Sequence, residues 1–199
     1  MKTIVLATRN KHKILEIKTI LSDIAVELLT LHDFPQVPEL KEEGATFREN
    51  SLQKAEAVAA HTKLPALADD SGLEVFYLSG RPGVISARYA GAGASDDQNN
   101  RKLLGEMLGV PPRRRRAQFR SVLTLLGSEL KEVTEGICPG MLAESPRGTN
   151  GFGYDPIFLP DGFSRTYAEL TAEEKNRISH RAKALAAMKE ILKQRIGRT

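Results

Sequence analysis

The chain has 199 residues, of which 41% are hydrophobic and 27% charged, with a formal net charge of +4 and a sequence pI near 9.2. That length suits one domain with a sizeable core, and without any 18-residue apolar run no transmembrane helix is predicted. A single cysteine, Cys138, excludes an internal disulfide and a Cys-x-x-Cys metal site, while the basic balance suits an anionic ligand: a nucleotide, a nucleic acid or a phosphorylated metabolite.

Met1–Ala7 is too short for a signal peptide and runs directly into Arg9, Lys11 and Lys13, so the expected compartment is the cytoplasm. Residues 3–7 read as a buried strand. Thr8-Arg9-Asn10 then turns into a helix with Ile14, Ile17, Ile20 and Leu21 on one face, and Ile24 to Leu29 reads as a second strand. Residues 33–45 form a loop carrying Glu39, Glu42 and Glu43. Thr46-Phe47-Arg48-Glu49 is a capping box that opens a helix ending near Thr62.

Residues 65–69 are an apolar strand that ends in Asp69 and Asp70, with another strand from Leu73 to Leu78. Gly80-Arg81-Pro82-Gly83 is a turn. Ser95-Asp96-Asp97-Gln98 is a second capping box, for a helix through about Leu108, which Pro111-Pro112 follows. Ala117 to Leu126 alternates as a half-buried strand and turns at Gly127-Ser128 into a partner from Lys131 to Cys138. Residues 139–156 are Gly/Pro-rich loop. A third capping box, Thr171 to Glu174, opens an apolar helical stripe through Leu192 that Ser179 can split in two. Helices mixed with a β-rich middle indicate an α/β fold with a mixed sheet.

Four constellations carry chemistry. Thr8-Arg9-Asn10-Lys11-His12-Lys13 joins strand to helix, where unpaired N–H groups and the helix dipole attract phosphate; the bland alternative is an ordinary Asn cap on a basic helix. The acidic set of Glu42, Glu43, Asp69 and Asp70 offers hard oxygen ligands suited to Mg²⁺, or else a solvated turn. Adjacent strand residues face opposite ways, so only one of Asp69 and Asp70 can readily serve a common site. Gly148 to Pro156 sets Phe152 and Tyr154 among glycines, so that an aromatic ring can stack on a base and Asp155 can read its polar edge; the alternative is a flexible surface loop. Lys175 and Ser179-His180-Arg181 place cations near a helix start, where the dipole disfavours them. The run Arg113–Arg116 lacks interleaved aromatics and reads as a solvated loop rather than a nucleic-acid surface.

Six segments then coincide in order: Thr8-x-Asn10-x-x-Lys13; Glu42-x-Gly44-x-Thr46-Phe47-x-Glu49-Asn50; Ala68-Asp69-Asp70-Ser71-Gly72-Leu73; Pro82-Gly83-Val84-x-Ser86-Ala87-Arg88-Tyr89; Gly151-Phe152-Gly153-Tyr154-Asp155-Pro156-x-Phe158; and Ser179-His180-Arg181. Over nearly its whole length the chain resembles the non-canonical purine nucleoside triphosphate pyrophosphatases, the inosine triphosphatase (Ham1/RdgB-like) family. The resemblance implies a single domain over 1–199 with an elongated, two-lobed α/β fold around a long mixed sheet and a central substrate cleft. It implies hydrolysis of ITP, dITP and XTP to the monophosphate and pyrophosphate with Mg²⁺, usually by a homodimer, with neither nucleic acid nor membrane as partner.

Carried over by residue, Thr8, Arg9, Asn10, Lys11, His12 and Lys13 hold the triphosphate, with Lys54 and Lys175 adding positive charge. Glu42 and Asp70 hold Mg²⁺, and Asp70 is the base that activates water. Ser71 touches the substrate. Phe152 stacks on the purine, Gly153, Tyr154 and Asp155 close that pocket, and His180 and Arg181 read the base. Arg9 stands where many relatives have Gly, and the chain has no Trp for its base platform. Two rivals remain: a Maf-like pyrophosphatase acting on pyrimidine or modified nucleotides, and a basic nucleic-acid-binding module.

Overall fold

In a computed structural model that describes residues 3–196, strand β1 (Thr3–Leu6) alternates its side chains between two apolar clusters. Ile4 and Leu6 join Ile17 of helix α1 (Lys11–Ile20), Leu21 at its C-cap, and Leu185, Met188 and Leu192 of helix α5 (His180–Ile196). Val5 and Ala7 join Ala55 and Val58 of helix α2 (Phe47–Thr62). The period-2 alternation of a strand therefore puts α1 and α5 on one face and α2 on the other. Strand β3 (Ala66–Val75) repeats the pattern, with Leu67 on the α1/α5 side and Ala66 and Ala68 on the α2 side.

A six-stranded sheet has the order β2-β1-β3-β4-β5-β6, where β2 is Glu27–Thr30, β4 Arg116–Gly127, β5 Leu130–Leu142 and β6 Phe158–Pro160. Strand β1 pairs in parallel with β2 and β3, whereas β5 and β6 pair antiparallel, so the sheet is mixed as expected. The chain divides into two compact units. Unit 1 holds the chain up to Asp70, Ser121–Gly136 and the chain from Arg181 onward; unit 2 holds Ser71–Arg120 and Ile137–His180. Unit 2 packs Leu103 of helix α3 (Asp96–Glu106) and Met107 at its C-cap with Phe119, Phe158 and Tyr167. Among the described residues no helix is long and apolar enough to cross a membrane.

The helix starts fall where the capping residues put them. Asn10, Thr46, Ser95 and Thr171 each accept from backbone amides of their own first turn, and the last three close full capping boxes. Ser179 is extended (φ −66°, ψ 157°) and separates helix α4 (Ala172–Ile178) from α5. Four strands differ from expectation: β5 continues past Cys138 to Leu142, β6 has no counterpart among the predicted strands, and β2 and β3 have other bounds. Residue 24 sits in a turn, and β2 begins only at Glu27. Strand β3 does not stop at the carboxylates: it runs through Asp69-Asp70-Ser71-Gly72 to Val75, and Phe76–Leu78 is a 3-10 turn. The strand can pass through two buried charges because each has cationic partners.

Candidate active site

In unit 1 the turn after β1 becomes the start of α1. Asn10 Oδ1 accepts from the amides of His12 (3.0 Å) and Lys13 (3.1 Å), and Thr8 Oγ1 accepts from the Asn10 amide at 3.2 Å. Lys11 and His12 are exposed, whereas Lys13 turns inward, its Nζ 2.9 Å from Asp69 Oδ2. The Arg9 guanidinium donates to the carbonyls of Val37 (2.8 Å) and Leu31 (3.4 Å), tying down the loop that follows β2.

The two carboxylates of β3 face opposite layers, as alternation requires. Asp69, 1% exposed, points to the α1/α5 side. It accepts from Ser121 Oγ at 2.6 Å and from Arg181 Nε and Nη2 at 3.1 Å, and it pairs with Lys13. Arg181 also donates to Glu16 through Nη1. Burial pushes the Asp69 carboxyl up, but Arg181, Lys13 and the Ser121 hydroxyl outweigh it and hold it well below the usual carboxylate range.

Asp70 points to the α2 side. Lys54 Nζ donates to Asp70 Oδ1 (2.7 Å), Glu42 Oε1 (2.9 Å) and the Asp69 carbonyl (2.8 Å), which satisfies all three ammonium hydrogens. Asn50 Nδ2 donates to Asp70 Oδ2 at 3.2 Å, and Asn50 Oδ1 accepts from the Gly44 amide at 2.7 Å. A Cβ on Gly44 would meet Asn50 Oδ1 at 2.8 Å, so glycine lets the acidic loop lie against α2. That approach selects Glu42 for the cluster; Glu43 is exposed and lies 3.6 Å from Lys41. Burial pushes the Asp70 carboxyl above its ordinary value despite the nearby Lys54 and Lys13. Burial likewise lowers Lys13, whereas Lys54 is raised because Asp70 and Glu42 outweigh its desolvation.

Glu42 and Asp70 thus bracket one cation position, held here by the Lys54 ammonium. Two hard carboxylates at one position fit a divalent ion such as Mg²⁺, which takes one or two carboxylates and fills the rest of its shell with water and phosphate oxygen. Among the described residues no group of three or more His, Cys, Asp or Glu gathers to hold a metal, and Mg²⁺ does not require one.

In unit 2 the loop 148–155 is built around Asp155, 2% exposed. Asp155 Oδ2 accepts from Lys175 Nζ (2.6 Å) and from the Phe152 amide (2.9 Å). A Cβ on Gly151 (φ +76°) would meet that same Oδ2 at 2.0 Å, so a larger residue would have to displace the Asp155 carboxylate. Lys175 Nζ also lies 4.8 Å from the Phe152 ring centroid and 5.5 Å from that of Tyr167, within cation–π range. His180 is buried and stacks on Phe119 with centroids 4.7 Å apart. Tyr154 is a core residue whose hydroxyl donates to the Ser86 carbonyl at 2.8 Å, and burial raises its pKa, so it stays protonated. Gly153 is half-buried, as is Ser71 at the start of unit 2's part of β3.

The sequence-predicted residues therefore collect into two groups. In unit 1 Lys13 and Arg181 gather on Asp69, and Lys54 joins Glu42 to Asp70. Phe152, Asp155 and Lys175 gather in unit 2, where Tyr167, which sequence reasoning did not single out, joins them. Arg181, expected to read the base, has its guanidinium on Asp69 and Glu16. Tyr154, expected at the base platform, has its ring in the core. Sequence reasoning missed Glu16, Asn50 and Ser121. Glu16 lies three residues after Lys13 and Asn50 four before Lys54, spacings that share a helix face and could have flagged both. Ser121 carries no local signal. The Arg113–Arg116 run is not simply solvated. Arg115 is buried and donates to the carbonyls of Met107, Leu142 and Ala143, and Arg116 grips Asp161 through both terminal nitrogens. An internal guanidinium of that kind has no charge to offer a nucleic acid.

The Ham1 family model matches residues 4–191. A dITP/XTP pyrophosphatase of Geobacter sulfurreducens is 51% identical over 193 residues, covering 96% of this chain and 97% of that protein. A Geobacillus kaustophilus protein of the same name is 48% identical over 198 residues, covering 99% and 97%. Among solved structures, a HAM1 protein from Coxiella burnetii aligns with a TM-score of 0.89 at 41% identity, over 98% of this chain and 100% of that one.

Proposed function

The chain belongs to the Ham1 family, and from that premise we propose how it works: it hydrolyses the non-canonical purine nucleoside triphosphates ITP, dITP and XTP to the monophosphate and pyrophosphate. The observation that carries the mechanism is the contrast between neighbours on β3. Asp69 is locked to Arg181 and Lys13, which hold its carboxyl low, whereas Asp70 faces Lys54 and Asn50 on the other side of the strand and burial pushes its carboxyl above its ordinary value. Two carboxylates driven apart in this way divide their roles, and the raised one suits a general base.

Asp70 takes a proton from a water whose oxygen adds to one of the phosphorus atoms flanking the α–β bridge. The bond from that phosphorus to the bridging oxygen breaks, the bridging oxygen departs with the other phosphorus, and the products are the monophosphate and pyrophosphate. Thr8, Asn10, Lys11, His12 and Lys13 bind the triphosphate at the capped start of α1. Lys54 adds charge and holds Glu42 and Asp70 together, while Arg9 fixes the neighbouring loop. Glu42 and Asp70 would hold Mg²⁺, which when bound neutralises phosphate charge.

In unit 2, Phe152 stacks on the purine, with Gly153, Tyr154 and Asp155 shaping its loop and Ser71 touching the substrate. Lys175 and His180 carry N–H donors that a 6-keto oxygen can accept from and a 6-amino group cannot. Leaving such a buried donor unpaired costs about 1–3 kcal/mol, enough to reject adenine nucleotides. Arg181 serves the base-reading end only through the α4–α5 junction it shares with His180. The two units act as one catalytic domain, the enzyme works as a homodimer in the cytoplasm, and its partner is the nucleotide rather than a nucleic acid or a membrane.

Pyrophosphate release from dITP, XTP, dATP, dGTP and dTTP, with and without Mg²⁺, tests this reading. Rapid, Mg²⁺-dependent turnover of dITP and XTP is expected. Equal turnover of dATP and dITP would overturn the specificity, and preferred cleavage of dTTP would favour the Maf-like alternative.

A further inference from the structure

Helix α3 reaches the Phe152 loop with two side chains one helical turn apart. Asp96 Oδ2 accepts from the Gly153 amide at 2.6 Å, and Asn100 Nδ2 donates to the Gly153 carbonyl at 2.8 Å. Residues four apart on a helix share a face, so both can grip a single residue. Gly153 is thus held by its N–H and its C=O from one direction. It has φ +61°, and a Cβ there would meet nothing within 4 Å. The glycine is required by its backbone angle, and its other side is open.

The chemistry of the two partners differs. Asp96 is exposed and sits at the first position of α3, where its charge already suits the helix dipole. Asn100 is 5% exposed, and its Oδ1 has no hydrogen-bond partner among the described residues. A buried acceptor without a partner carries a desolvation cost that an apolar side chain would avoid. The amide at this position therefore works against stability on one side and serves the loop on the other.

We propose that Asp96 and Asn100 are positioning residues that clamp Gly153 and so set the height at which the adjoining Phe152 ring meets the purine of a 6-keto nucleotide. The proposal rests on the reading of Phe152 as the stacking residue. The backbone N–H groups of Phe152 and Gly153 are spent on Asp155 and Asp96, so the loop offers its ring to the base and keeps those two amides for its own support. Neither clamp residue belongs to the Glu42, Lys54 and Asp70 cluster to which the chemical step is assigned, so their loss should affect base binding and leave that step alone.

The test compares dITP kinetics and thermal unfolding for the wild type, Phe152→Ala, Asp96→Ala, Asp96→Asn and Asn100→Ala. Removing one charge-assisted hydrogen bond should raise KM for dITP about tenfold with kcat unchanged. Asp96→Asn keeps an acceptor oxygen and should recover most of the affinity. Tm should stay within about 2 °C of the wild type in Asp96→Ala, and Asn100→Ala should lose affinity without losing Tm. A KM for Asp96→Ala equal to the wild type, while Phe152→Ala raises it, would overturn the clamp and leave the stacking reading intact. A Phe152→Ala enzyme with unchanged KM would overturn stacking itself. A fall in Tm with no rescue by Asp96→Asn would make Asp96 merely structural and also overturn the clamp.

Discussion

Each unit buries a lysine–aspartate pair, and their surroundings differ. In unit 1 Lys54 and Asp70 belong to a cluster with Lys13, Arg181, Glu16, Glu42 and Asp69. In unit 2 Lys175 and Asp155 are enclosed by rings, with Phe152 and Tyr167 facing the ammonium and Phe119, Phe158 and His180 packed close by. Burying ions costs free energy that pairing only offsets, so a cluster of seven charges is a poor device for stability alone. It suits a multiply charged ligand with an ion of its own, which can exchange places with the internal partners. A single pair shielded by aromatics suits a flat, uncharged ring: the aspartate shapes the loop and the lysine tethers it.

The largest expected effect comes from Asp70→Asn. Removing the general base should lower kcat by about 10²–10⁴-fold with the fold intact, read by pyrophosphate release and circular dichroism. In the metal-free wild type the Asp70 carboxyl should titrate above the ordinary aspartate value, because burial raises it, as read by NMR of the side-chain carboxyl. Full activity in Asp70→Asn would remove the contrast between the units.

Asp69→Asn comes next and acts on stability. It leaves Arg181 and Lys13 buried without their shared counter-charge, a loss of about 3–5 kcal/mol at neutral pH by urea unfolding. The folded Asp69 carboxyl is depressed, so its stabilisation is present above the unfolded carboxylate value and is lost as pH falls toward the folded one. The difference between variant and wild type should therefore be widest near neutrality and close in strong acid. A pH-independent difference would assign Asp69 a packing role.

A smaller effect is expected in unit 2. Gly151→Ala forces a Cβ against Asp155 Oδ2 at a left-handed backbone angle, which should cost about 1–3 kcal/mol and raise KM for dITP more than it lowers kcat. The smallest effect is Arg116→Ala: its pair with Asp161 is roughly half exposed, so unfolding should shift by only about 0.2–1 kcal/mol with activity unchanged. A loss of several kcal/mol there would show that surface ion pairs matter as much as the cluster of unit 1.

Much of the site is legible in the sequence because local chemistry writes it. Asn10, Thr46, Ser95 and Thr171 bond to amides within their own first turn, so three or four residues suffice to place a helix start. Strand periodicity alone puts Asp69 and Asp70 on opposite faces. The end of β3 is not legible in the same way, because buried carboxylates ordinarily end a strand. The cations that let it continue lie elsewhere in the chain, Arg181 112 residues away from Asp69.

By itself, then, the sequence determined the helix caps and the separation of the two carboxylates onto opposite faces, since each depends on neighbours within a turn or on a strand's period of two. Only the tertiary structure decided which carboxylate is locked and which is raised, that Arg181 belongs to Asp69 and Glu16, and that Arg115 is an internal strut rather than a surface charge. Those outcomes depend on burial and on partners brought together through space, and separation along the chain carries no record of either.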